Sequence, residues 1–157
     1  MIQRIQTLYL LLATVLTVVC MGSTIGYYIS EDGEKVGQLF NLLCSNYVGV
    51  DFPHRGENLA LFVILLIVST LSLLSIFLFK RRVLQMRVCV FCMILLLGWY
   101  AVYGFFAWHY LGTFPMEVTF KVTVKASLPF VSFILLYLAV RGIMKDEKLV
   151  RSLDRLR

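Results

Sequence analysis

The run from 59 to 79, LALFVILLIVSTLSLLSIFLF, carries no charged side chain. Apolar side chains shut water away from its peptide groups, which must then bond to one another. A helix does this within a single segment. About 20 residues at about 1.5 Å each cross a hydrocarbon core of about 30 Å. Three more apolar runs accompany it, at 5–29, 88–111 and 122–144, and none contains an aspartate or glutamate. Four such runs in succession leave no polar faces for water. The expected fold is an all-α membrane protein. It has one four-helix transmembrane domain over 1–157, an outward loop at 30–58 and a short amphipathic cytoplasmic helix at the C-terminus.

Composition excludes the other routes. Hydrophobic residues are 60% of the chain and charged residues 15%, against about 45–50% and about 25% in a soluble domain. A soluble fold of this length still exposes about a third of its unfolded surface, too much to hide those side chains. A β-barrel needs short alternating strands, and these unbroken runs do not alternate. The first run exceeds the usual signal-peptide core of about 7–15 residues, and no small-residue cleavage site follows, so it reads as a retained helix. Lys125, near the start of the last run, can snorkel to the surface.

Charge orients the runs. Lys80, Arg81, Arg82 and Arg87 separate the second from the third, and six basic residues against three acidic ones follow from Arg141 onward. In the 30–58 loop, Glu31, Asp32, Glu34, Asp51 and Glu57 outweigh Lys35 and Arg55. Basic flanks stay in the cytoplasm. Both termini are therefore expected inside a bacterial inner membrane, with the 30–58 and 112–123 loops outside. The net charge of +6 does not point to nucleic acid, because the basic residues flank membrane runs where anionic lipid meets them. Leu149, Val150, Leu153 and Leu156 recur at helical spacing among charges. They fit either a helix on the inner leaflet or a solvated extension of the fourth run.

Membrane helices associate through small residues and polar side chains. The candidate seams are Gly22 and Gly26, Thr14 and Thr17, the set Ser69, Thr70, Ser72 and Ser75, the set Gly98, Ala101 and Gly104, and the set Ser127, Ser132 and Ala139. Trp108 and Tyr110 suit an interfacial belt, whereas Trp99 and Tyr100 lie deeper. Val36, Leu39, Phe40 and Leu43 sit at helical spacing in the first loop, and 47–52 reads as a short extended piece. The second loop, with Phe114, Val118 and Phe120, is expected to pack on the first.

Chemical motifs are sparse. Cys89 and Cys92 form a CxxC, but on the reducing side, where small buried hydrophobes are the natural reading. Cys20 and Cys44 leave an outer pairing open. His54 and His109 fit interfacial hydrogen bonding better than paired haem ligation. Proton-coupled export needs a membrane carboxylate, and the runs carry none. No Walker motif, HExxH or GxSxG occurs. No catalytic residue, metal or cofactor is expected.

The ends carry a resemblance. MIQRIQTLYLLL at 1–12, FLFKRRVLQMR at 77–87 and LAVRGIMKDEKLVRSLDRLR at 138–157 resemble the integral membrane family of Bacteroidota described as domain of unknown function 4293. The resemblance implies an inner-membrane location and the same four-helix plan, and supplies no activity. Its matching residues include Gln3, Gln6, Arg4, Lys80, Arg82, Gln85, Arg87, Lys145, Asp146, Glu147, Arg151, Asp154 and Arg155. From Arg4 onward these form the expected contact face for membrane lipid or another integral membrane protein. Surface ion pairs contribute only about 0–1 kcal/mol each, so docking explains such a set better than stability does. The expected role is a structural or accessory subunit of a membrane complex, with a small transporter or lipid-handling protein as the alternative.

Overall fold

The computed structural model describes residues 2–31, 33–42, 44–46, 58–112 and 117–154. Four long helices occur among them: α1 (Ile2–Met21), α2 (Leu59–Phe77), α3 (Arg82–Leu111) and α4 (Leu128–Asp154). α1 packs on α2 and α4, and α3 closes the ring by packing on the same two. Leu59–Phe77, Arg82–Leu111 and Val124–Glu147 are long and apolar enough to cross a membrane, while Ile5–Met21 is a shorter apolar helix.

The bundle reverses the soluble pattern. α2 buries Ser69, Ser72 and Ser75 beside Leu61, Leu65 and Val68, and turns Leu66, Leu73, Leu74 and Phe77 outward. Small inward side chains let helices approach closely, and their hydroxyls bond across the gap. Thr14 Oγ1 and Ser72 Oγ lie 3.0 Å apart, and both reach the Leu10 carbonyl, at 2.9 and 3.2 Å. The Ser132 hydroxyl is shared between the carbonyls of Leu128 at 3.1 Å and Ala13 at 3.3 Å, tying α4 to α1. Ser75 Oγ meets Cys89 Sγ at 3.5 Å between α2 and α3.

The α3 seam is not the expected one. Its buried stripe is Gln85, Cys89, Cys92, Leu96, Trp99, Tyr103, Phe106 and Tyr110, which steps by four and three along one helix face. Gly98, Ala101 and Gly104 lie on the exposed face. Large side chains fill this seam because α3 must also carry the sheet at its far end.

That sheet corrects the all-α expectation. β1 (Thr24–Ser30), β2 (Lys35–Phe40), β3 (Cys44–Asn46) and β4 (Val118–Val122) form an antiparallel sheet in the order β3-β2-β1-β4. The first helix therefore stops at Met21 rather than reaching 29. Gly22 and Ser23 interrupt it, and Thr24, Ile25, Tyr27, Tyr28 and Ile29 are residue types that suit a pleated strand. The Gly22/Gly26 pair is consequently no helical seam. Asn41, from the end of β2, closes the helix by donating from Nδ2 to the Cys20 carbonyl at 2.7 Å. Gly33, at φ 82°, takes the left-handed turn between β1 and β2 that side chains disfavour.

β2 also replaces the helix that its spacing imitates. Tyr28 pairs with Gly37 and Ile29 with Lys35, which leaves Val36 as the extra residue of a bulge. The bulge lets Val36 and Leu39, three apart, both turn inward, as they would on a helix. β4, from the second loop, pairs with β1 from Gly26↔Val122 to Ser30↔Val118, so its ladder runs along 26–29, the expected end of the first helix, and meets the first loop only at Ser30. Residues 47–52 and Phe114 lie outside the described residues.

The remaining boundaries shift in two places. α3 starts at Arg82, so the basic segment forms its first turns. Val122 ends β4, a 3-10 turn spans Val124–Ser127, and α4 then runs unbroken to Asp154. The tail is thus a continuation of α4 rather than a separate helix.

Candidate functional site

The bundle has two chemically distinct ends. At the basic end, the start of α1, the α2–α3 connection and the last turns of α4 come together. Arg4 lies on α1, Lys80 on the 3-10 turn Leu78–Lys80, and Arg151 and Asp154 on α4; Arg155 lies outside the described residues. Arg87 and Lys145 are exposed, and Arg82 and Glu147 are half-buried. Two members of the expected contact face point inward instead. Gln85 is buried in the α3 stripe, and Asp146 is buried against α1, where Gln6 Nε2 donates to its Oδ2 at 2.6 Å. Gly142 makes room for this bond, since a Cβ there would stand 3.2 Å from Gln6 Cγ. The structure thus brings Gln6 and Asp146 together as a tie between helices and leaves Arg82, Arg87 and Lys145 toward the surroundings.

At the other end, the sheet sits on α3. Tyr28 packs against Phe120 with ring centroids 4.9 Å apart and against Tyr110 at 6.5 Å, edge to face. Gly26 is required beneath Phe120, because a Cβ would fall 2.3 Å from Phe120 Cζ. Two tyrosines of α3 fasten the sheet and its neighbouring turn. Tyr103 donates to the Ile25 carbonyl at 3.0 Å, and Tyr100 to the Ala126 carbonyl at 2.8 Å. A third, Tyr110, donates to Asn58 Oδ1 at 2.9 Å, and Asn58 Nδ2 donates to the Phe40 carbonyl at 3.2 Å. Tyr110, expected in an interfacial belt, is therefore buried, whereas Trp108 is 81% exposed.

Between α3, β4 and α4 lies a groove of about 560 Å³, lined by Tyr100, Tyr103, Val122, Thr123, Val124, Ala126, Ser127 and Phe130. The tyrosine hydroxyls are taken by backbone carbonyls, so their rings form an apolar wall. Thr123 Oγ1 is buried without a partner. The lining offers shape, with no nucleophile–base pair. Such a surface suits an alkyl chain. Sequence reasoning missed this groove, because Val122 and Val124 read as the start of a helix. The signal within reach was the alternation of Val118, Phe120 and Val122 with Thr119 and Lys121.

Among the described residues the thiols and histidines do not assemble into a centre. Cys20, Cys89 and Cys92 are buried free thiols, so Cys20 carries no disulfide to Cys44. His109 stacks on Phe105, with centroids 5.9 Å apart and planes 5° from parallel, and His54 lies outside the described residues. Among the described residues no three His, Cys, Asp or Glu side chains are grouped to hold a metal ion.

Comparison with curated proteins finds no match. The family model described as "Domain of unknown function (DUF4293)" matches residues 2–156. With that match running nearly end to end, the chain belongs to the DUF4293 family.

Proposed function

We propose that this chain is a four-span protein of a bacterial inner membrane, of Bacteroidota origin, serving as a structural or accessory subunit of a membrane complex. In this reading α1 spans together with α2, α3 and α4. Both termini and the basic end face the cytoplasm, and the sheet stands outside. The observation that carries the reading is the bundle's polarity. Its hydroxyls bond inward between helices, while Leu66, Leu73, Ile94, Leu97, Phe105 and Ile134 face outward. Contiguous apolar exposure on that scale needs lipid or protein to cover it. Arg82, Arg87 and Lys145, with Arg4, Lys80 and Arg151 of the same end, then offer contacts to a partner or to anionic headgroups.

Purification in mild detergent, followed by mass measurement of the intact particle, tests this. An integral membrane partner at fixed stoichiometry is the expected result, and substituting Arg82, Arg87 and Lys145 together lowers its occupancy. A particle holding this chain and lipid alone would overturn it.

The groove favours a second reading, in which the protein handles a lipid or a similarly apolar molecule. Intact-mass measurement would then show a retained phospholipid that Ser127→Phe, filling the groove, removes.

A further inference from the structure

β4 is an edge strand: among the described residues only β1 pairs with it. Its backbone groups divide between the two sides. Thr123 N–H donates to the Ile25 carbonyl at 3.2 Å, one step beyond the Gly26↔Val122 pair. Alternation along an antiparallel ladder then turns Lys121 and Thr119 toward β1, and Val118, Phe120 and Val122 toward the free edge. A free edge of this kind is a template for another strand.

The side chains select which strand. Glu117, Thr119 and Lys121 alternate onto one face and are all exposed, whereas Val118 and Phe120 are half-buried on the bundle side. A lone lysine on an edge opposes pairing. Here a glutamate stands four positions before it, with Thr119 midway. An antiparallel partner identical to β4, related by a twofold axis through Thr119, sets Glu117 opposite the second copy's Lys121. The same operation sets Lys121 opposite the second copy's Glu117. Opposite charges directly across an antiparallel pair stabilise it, and like charges destabilise it. Shifting the axis to Phe120 loses both pairs and brings the two Lys121 side chains onto a diagonal.

We infer that β4 is a self-pairing edge, at which two copies of this chain join antiparallel strands about Thr119 into one continuous sheet held by reciprocal Glu117–Lys121 contacts. A closed twofold of this form ends at a dimer and does not propagate. In a membrane the pairing rests on the proposed placement of the sheet outside the bilayer, but the strand chemistry does not.

The test uses the purified full-length chain in mild detergent, on a Cys44→Ser background, under a thiol oxidant. Thr119→Cys is expected to convert most of the chain to a disulfide-linked dimer, because the two thiols face each other at the axis. Chains carrying Glu117→Cys mixed with chains carrying Lys121→Cys cross-link to one another, and Lys121→Cys alone cross-links several-fold less. Glu117→Lys or Lys121→Glu alone lowers the Thr119→Cys dimer yield several-fold, and the double swap restores it. The inference is overturned if Thr119→Cys stays monomeric while its thermal unfolding matches the parent. It is equally overturned if Lys121→Cys self-links as well as Thr119→Cys, or if the thiol captures a different protein in membranes. A failure here leaves the sidedness standing, since detergent micelles carry no sides. Labelling that contradicts the sidedness leaves the strand pairing standing.

Discussion

The side-chain amide of Gln6 donates to the carboxylate of Asp146 at 2.6 Å, joining α1 and α4 across 140 positions of chain. Both residues are buried. Asp146→Ala leaves that amide without its acceptor and is expected to cost about 1–3 kcal/mol. Asp146→Asn keeps an oxygen in place and costs less. Gln6→Ala strands the carboxylate and sits at the upper end of the range. Thermal unfolding in detergent orders the three variants, and an Asp146→Ala variant as stable as the parent would show that the bond contributes nothing.

Gly26→Ala places a methyl group 2.3 Å from Phe120 Cζ. The ring is held by Tyr28 and Tyr103. Overpacking of this kind costs about 1–3 kcal/mol. Phe120→Leu removes the clashing atoms, so the double variant is expected to unfold at a higher temperature than the sum of the two single losses predicts.

Much of this fold is legible in the amino-acid sequence. The 59–79 run became Leu59–Phe77, because an uncharged run of that length has a helix as its ready solution. The inward hydroxyls Thr14, Ser72, Ser75 and Ser132 were legible as the few polar groups on otherwise apolar helices, but Thr70 and Ser127, chosen on the same ground, turn outward and bond their own backbone. The sheet was not. Thr24 to Ile29 are as apolar as a helix end, and hydrophobicity alone does not separate the two states. In β2 the bulge at Val36 produced a helical spacing within a strand. On the tail, charge pattern distinguished a polar face but gave no sign that Asp146 would turn inward, since its partner lies on α1.

Asn41→Ala is expected to loosen the junction between α1 and the sheet. Its Nδ2 holds the Cys20 carbonyl at 2.7 Å, one of the orphan acceptors that every helix end leaves. Loss of such a bond costs about 0.5–1.5 kcal/mol. Amide hydrogen exchange reads it locally: β1 and the last turn of α1 exchange faster, while the centre of α3 is unchanged.

Thr14→Val and Ser72→Ala each remove one side of the hydroxyl contact between α1 and α2. Bonds of this kind average about 0.6 kcal/mol within a membrane bundle. A double-mutant cycle on unfolding is expected to return a coupling of that size, and a coupling of zero would show that each hydroxyl is satisfied by the Leu10 carbonyl alone.

Sidedness gives a direct readout. An amine reagent that cannot cross the inner membrane, applied to spheroplasts, is expected to modify Lys35 and Lys121 and to spare Lys80 and Lys145. The reverse pattern would invert the bundle and remove the cytoplasmic contact face.

β4 joins the sheet beside β1, although the whole of α2 and α3 separates them in the chain. During synthesis, then, the first three helices are made before the strand that completes the sheet. Until residues 118–122 emerge, the flank of β1 waits uncovered, and the tyrosine-lined seat on α3 holds a partly built sheet. Completion of the sheet thereby waits for the segment that follows α3, so a product cut short at the end of that helix keeps most of its greasy segments yet lacks a finished sheet.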